Sequence, residues 1–261
     1  MRILATLKAQ VRLSVTTSLQ YRADFLVDGA VELFWIAAAI YPLVVVFDRT
    51  DNLGGWSFDA ALVVAGIFAI LQGVMEGLIS PSLTGLVEQV RKGTFDFVLV
   101  KPVDSQLFVS FSRVQPWRCI NALVGIGLIA RSLYRIGYVP SAYDLFATAV
   151  ALTASVAFLY AFWLVAASTA FYVIRIDNIT YLFSSVLDAA RWPRSVFRGV
   201  MRLVFTFVIP LALMTSYPAE ALLGRLAGTT LAASAAAGVL ALVVSRLLWK
   251  RAVNHYASAS S

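Results

Sequence analysis

Polar and apolar positions along this chain fall into long blocks rather than short alternations. Six stretches approach the roughly 20 apolar residues that a membrane crossing requires: 25–47, 58–80, 111–130, 145–174, 199–217 and 228–249. The fourth is longer than a bilayer needs and is expected to tilt or to extend beyond it. No run alternates with period two, which excludes a membrane β-barrel. Ahead of the first span, residues 1–22 read MRILATLKAQVRLSVTTSLQYR. Leu4, Leu7, Val11 and Val15 recur there at helical spacing, with Arg2 and Arg12 elsewhere on the wheel and Ser14 and Ser18 inside the apolar arc. The spacing predicts an amphipathic helix on the membrane surface. The stretch has neither the continuous apolar core nor the cleavage site of a signal peptide. The pattern therefore predicts an all-α membrane protein with six transmembrane helices, folded as a single domain over 1–261.

One interruption stands out. Between the second and third spans, EQVRKGTFDFVLVKP concentrates charge between apolar runs. Leu83, Leu86, Val87 and Val90 fall at i, i+3, i+4 and i+7, one stripe of a short helix. Glu88, Arg91 and Lys92 occupy its other faces, and Gly93 stands where a C-cap glycine belongs. Thr94, Phe95, Asp96, Phe97 and Leu99 follow, and Lys101 and Pro102 close the segment. Residues 81–102 are thus expected to form a capped helix folded back against the membrane face. A merely solvated loop is the plainer reading of the same residues.

Composition sharpens the class. The chain is 60% hydrophobic and only 13% charged, whereas soluble domains are about a quarter charged. Its net charge of +7 is read as topology and contact with anionic lipid, not as a footprint for nucleic acid. With the N-terminus inside, only Arg49, Arg131, Arg135 and Arg225 of the 21 basic residues lie in outer loops, and Arg113 and Arg118 lie at or in the third span. The excess of Lys and Arg on the other side places both termini in the cytoplasm. Trp56, Trp192 and Trp249 stand near span ends, as interfacial anchors do.

Several chemistries find no residues to carry them. There is no phosphate-binding loop, no nucleophile elbow and no metal-binding cluster, with one cysteine and one histidine in the chain. No cofactor is expected in this chain. Acids near the spans are few: Asp24, Asp28 and Glu32 at the first, Glu76 in the second. An unpaired charge at mid-bilayer costs about 2.5–3.5 kcal/mol on insertion scales. Asp28, Glu32 and Glu76 are therefore expected to pair with Arg113, Arg118 or Arg22, pinning the first three spans. The alternative is a proton or cation pathway, as in an ATP-independent carrier or channel. The last span, rich in Gly228, Ala232, Ala235, Ala236 and Gly238, suits close packing, either within the chain or at a dimer seam.

The run Val90–Asp96, then Leu99, Lys101 and Pro102, resembles the motif that follows the second span in permeases of the ABC-2 type. A second match lies at Trp192-Pro193, Phe197-Arg198, Val208-Ile209-Pro210, Tyr217-Pro218-Ala219 and Leu222-Leu223-Gly224, and Phe162-Trp163 also fits. The resemblance covers nearly the whole chain. Many relatives carry a further proline near 197–200, which this chain lacks. The resemblance implies an inner-membrane exporter with a cytoplasmic coupling helix. It implies dimers of like or unlike permeases working with two separate ATPase subunits that hold ATP and Mg. Glu88, Arg91, Lys92, Gly93, Thr94, Phe95, Asp96, Lys101 and Pro102 would then contact the ATPase, with Phe95 as the apolar anchor. Tyr217, Pro218 and Gly224 would lie in a segment partly re-entering the outer leaflet.

Overall fold

The computed structural model describes residues 12, 16, 22–115, 118, 120–172 and 212–256. Among the described residues the structure is helical and holds no strand. Helix α1 covers Arg22–Phe47 and contains Pro42. A turn built on Gly54 and Gly55, both at positive φ, leads to α2, Phe58–Val74. A π-helical turn, Met75–Ile79, joins α2 to α3, Ser80–Arg91, without a break. Two short helices follow, α4 at Asp96–Leu99 and α5 at Ser105–Ser110. Helix α6 is Ile120–Ile136 and α7 is Ala142–Ser168, extended by the 3-10 turn Thr169–Phe171. A π turn, Ala212–Ser216, opens into α8, Tyr217–Leu222, and α9 runs Gly228–His255.

Four stretches among the described residues are long and apolar enough to cross a membrane: Gly29–Phe47, Phe58–Arg91, Ala142–Phe171 and Gly228–His255. The Phe58–Arg91 stretch is the packed axis: its most apolar part is 72% buried inside the protein, against 17% for that of α9. The reason lies in small residues. A Cβ built on Gly66 would stand 2.8 Å from the Gly125 carbonyl, and one on Gly73 would stand 2.9 Å from the Ala122 amide. The backbones of α2 and α6 therefore approach as closely as glycine permits. Helix α9 lies along α7 in the same manner, where a Cβ on Gly238 would meet the Ala154 backbone at 3.0–3.1 Å. Gly238 thus serves packing within the chain, whereas Ala232 and Ala236 are exposed.

The structure departs from the hydropathy pattern at three places. Helix α6 starts at Ile120, although the apolar run begins at 111. Phe111–Gln115 is irregular because its polar backbone is taken up by the π turn and α3. The Ser82 hydroxyl donates to the Arg113 carbonyl at 2.7 Å and accepts its amide at 3.1 Å. The second departure concerns tryptophan. Trp56 and Trp249 are 6% and 1% exposed, so both are core residues rather than interfacial anchors; Trp192 lies outside the described residues. Third, the second apolar run does not stop at 80 but continues as helix to Arg91. Of the 1–22 segment only Arg12 and Thr16 are described in full; both are helical, and the Thr16 hydroxyl donates to the Arg12 carbonyl at 2.8 Å. The 199–217 span is described only from 212.

Candidate functional site

The charged interruption folds as an elbow. Helix α3 ends in a Schellman cap: the Gly93 amide donates to the Val90 carbonyl at 3.1 Å and the Thr94 amide to the Gln89 carbonyl at 2.9 Å. Gly93 sits at φ +68°, a left-handed conformation that glycine adopts without cost. The chain then reverses into α4. On the α3 stripe, Leu83 and Leu86 are fully buried and Val87 and Val90 half-buried. Arg91 and Lys92 point outward, and Lys92 pairs with Glu88 at 2.6 Å.

Phe95 and Phe97 divide the work of the turn. Phe95 is 0% exposed, and its ring meets those of Phe171, Tyr256 and Trp249 edge-on at 5.1, 5.5 and 6.2 Å. Phe171 in turn meets Trp249 at 5.6 Å and Tyr256 at 5.5 Å. This aromatic cluster joins the elbow to the ends of α7 and α9. Burial pushes the Tyr256 hydroxyl above its ordinary pKa, and the charge of Asp96 adds to the shift. Phe95 therefore has no surface to offer a partner. Phe97 is 70% exposed, Val100 80% and Leu99 41%, and these side chains supply the elbow's apolar outer face. Lys101 stands 3.9 Å over the Phe108 ring, a cation–π contact that holds it to the end of the turn, and Pro102 is exposed.

A second tie runs from the elbow to α9. Asp104 caps α5 by accepting the Leu107 amide at 3.1 Å and pairs with Arg246 of α9. Arg246 also donates to the Gln106 Oε1 at 2.7 Å, and Trp249 Nε1 donates to the Ser105 hydroxyl at 3.3 Å. Gln106 and Ser110 both bond the Tyr160 hydroxyl of α7, at 3.0 and 2.7 Å. The hydrogen bond from Arg246 holds the Asp104 carboxyl below the usual carboxylate range, and the Leu107 amide adds to it against an opposing effect of burial. Residues 81–102 alone do not reveal this network. The signal for it was Arg246, a cation inside an apolar span that demands a partner.

The remaining candidate residues lie apart from the elbow surface. Glu76 pairs with Arg118 at 2.5 Å and accepts from Gln72 at 3.0 Å, joining α2 to the segment before α6. Arg113 meets Glu88 at 3.7 Å rather than an acid within a span. The side chains of Asp28 and Glu32 lie outside the described residues. At the opposite end of the bundle, Tyr217 and Pro218 start α8, whose Pro218, Ala219 and Leu222 are buried. Gly224, at φ +67°, closes it with a second Schellman cap, its amide on Ala221 at 3.0 Å and that of Arg225 on Glu220 at 2.8 Å. The Ser155 hydroxyl donates to the Leu213 carbonyl at 2.7 Å and fastens this turn to α7.

Among the described residues no group of three or more acids, histidines or cysteines is placed to hold a metal. The chemistry on display is mechanical: a rigid, capped elbow with an apolar and charged outer face, tied by aromatic and ionic contacts to two long helices. No curated protein and no solved structure matches the chain. The model of one family, described as ABC-2 family transporter protein, matches residues 33–260. The chain belongs to that family, and is a multi-pass membrane permease of the ABC-2 transporter type.

Proposed function

We propose that this permease is the membrane subunit of an ATP-driven exporter, and that its elbow receives the motion of a separate ATPase. Two ATPase subunits hold ATP and Mg and hydrolyse the nucleotide. Two permeases, alike or different, line the path. Both termini and the elbow face the cytoplasm, a direction supported by the surplus of Lys and Arg in the same segments.

The observation that carries this reading is the elbow's two-sided construction. Its outer face offers Phe97, Leu99 and Val100 beside Arg91, Lys92 and Lys101. Apolar anchors rimmed by charge are what a groove on a partner protein takes up. Its inner face is locked to α7 and α9 through Phe95 and through Asp104 with Arg246. A push on Phe97 then reaches two long helices without passing through a flexible joint. ATP shifts the transport equilibrium only if the ATPase contacts differ between its nucleotide-bound and nucleotide-free forms, so the outer face is where such differences act.

The test is the purified native assembly. Phe97→Ala paired with Lys92→Glu is expected to reduce the recovery of ATPase subunits and to reduce transport, while the permease inserts normally. Transport by the isolated permease in vesicles lacking nucleotide would overturn the proposal and favour an ATP-independent carrier.

A further inference from the structure

The continuous helix Phe58–Arg91 outruns a bilayer. Its 34 residues extend roughly 51 Å at 1.5 Å per residue, against a hydrocarbon core of about 30 Å. The polar turn 48–57 stands ahead of its first residue. About 20 residues further on, close to Leu78, the helix leaves the hydrocarbon on the other side. At that depth a cleft of about 370 Å³ opens, with Glu76, Ser80, Thr84, Arg113, Gln115 and Arg118 in its lining.

The cleft is built around Pro81. Proline has no amide hydrogen, so the Gly77 carbonyl four residues earlier loses its helical donor. The Gln115 amide takes that carbonyl at 2.8 Å, which brings the returning chain against the helix at the π turn. Ser82 then holds the Arg113 backbone by two hydrogen bonds, at 2.7 and 3.1 Å. Gly85 leaves room for the side chain: a Cβ there would stand 3.2–3.4 Å from the Arg113 side-chain atoms. Arg113 is thus fixed at its backbone and laid along α3, with its side chain 57% exposed. Its nearest carboxylate, Glu88 at 3.7 Å, has a closer partner in Lys92 at 2.6 Å. Arg118 is engaged by Glu76. Two arginines therefore face one glutamate in the lining, with the hydroxyls of Ser80 and Thr84 as further donors.

We propose that this cleft binds the phosphate of an anionic phospholipid at the membrane interface, with the Arg113 guanidinium as its principal donor. The planar guanidinium fork matches two phosphate oxygens, and basic pockets between membrane helices at headgroup depth are suited to such groups. A zwitterionic choline headgroup is disfavoured, because its ammonium would meet the surplus positive charge. The inference does not depend on a partner ATPase.

The experiment uses the full chain purified in neutral detergent. Apparent melting temperature and single-lipid adducts in native mass spectra are read with phosphatidylglycerol, with phosphatidylcholine and with inorganic phosphate. Phosphatidylglycerol is expected to raise the melting temperature and to remain bound, and phosphatidylcholine is not. Arg113→Gln is expected to weaken phosphatidylglycerol binding by about tenfold or more, Arg113→Lys by less. Competition by inorganic phosphate against the lipid would support a phosphate site. A shift with phosphate and none with phosphatidylglycerol would overturn the lipid as its source. Thr84→Val alters the same wall at an exposed position, and keeps the test open should Arg113→Gln fold poorly. Equal effects of both lipids, or phosphatidylglycerol binding unchanged in both the Arg113 and Thr84 variants, would overturn the proposal.

Discussion

Gly93 and Gly224 end their helices at φ +68° and +67°, where an L side chain costs about 1–2 kcal/mol. Gly93→Ala is expected to lose about that much stability, read as a lower apparent melting temperature, and Gly93→Asn less, since asparagine tolerates the left-handed region. Gly224→Ala should cost more. Its new methyl would collide with the Tyr138 hydroxyl, which is held in place by donating to Asp144 at 2.8 Å. Thermal denaturation of Gly224→Ala with and without Tyr138→Phe separates the clash from the backbone strain. A third residue-scale effect depends on pH. The folded pKa of Asp104 is lowered, first by the hydrogen bond from Arg246. Its contribution is therefore complete above the unfolded carboxylate value, about 3.9, and is lost as pH falls through the lower folded value. Melting temperature should be insensitive to this pair from pH 8 to 5 and should fall below about pH 4. Asp104→Asn should show a smaller fall on the acid side.

At the scale of elements, the elbow buries one of its two rings and exposes the other, so the proposed docking falls to a different residue from the one that holds the turn together. Phe95 fills the space between α4, the end of α7 and the end of α9. Removing its ring leaves a cavity, and Phe95→Ala is expected to cost about 3–5 kcal/mol, read as a large drop in melting temperature. Phe97 is exposed and touches little, so Phe97→Ala should change stability by no more than about 0.5 kcal/mol while weakening recovery of the ATPase. Had the roles been those drawn from the motif, with Phe95 as the docking anchor, the two variants would exchange behaviours. The alternation of the two rings follows from local geometry. Once the Schellman cap reverses the chain, residues 95 and 98 face the bundle together, and 97 faces away.

At the scale of the whole molecule, the long helices pack as two close pairs, α2 with α6 and α7 with α9. The elbow lies where α3, α7 and α9 end together. Trp249 and Arg246, one turn apart on α9, are held by different parts of the elbow segment. Arg246→Gln should therefore leave the permease folded and bound to its ATPase, yet lower transport several-fold. ATP hydrolysis and vesicle transport, measured on one preparation, would expose that uncoupling. Loss of the ATPase along with transport would instead indicate that Arg246 supports the docking face.

Much of this protein is legible from its residues. Continuous apolar runs mark out membrane helices because a bilayer admits few other ways to satisfy a backbone. The stripe Leu83, Leu86, Val87 and Val90 followed by Gly93 foretells a capped helix because both signals are local. What the sequence leaves open is set by contacts between distant positions. Hydropathy assigns 111–115 to a span, but Pro81 and Ser82 of another helix recruit that backbone into an irregular turn. Periodicity does not tell Phe95 from Phe97, because the choice depends on Phe171, Trp249 and Tyr256, far along the chain. Nor does the sequence join Asp104 to Arg246 across more than a hundred residues. Local pattern specifies which segments are helices and where they end; the closure of the bundle decides which of their polar and aromatic groups remain outside for other molecules to meet.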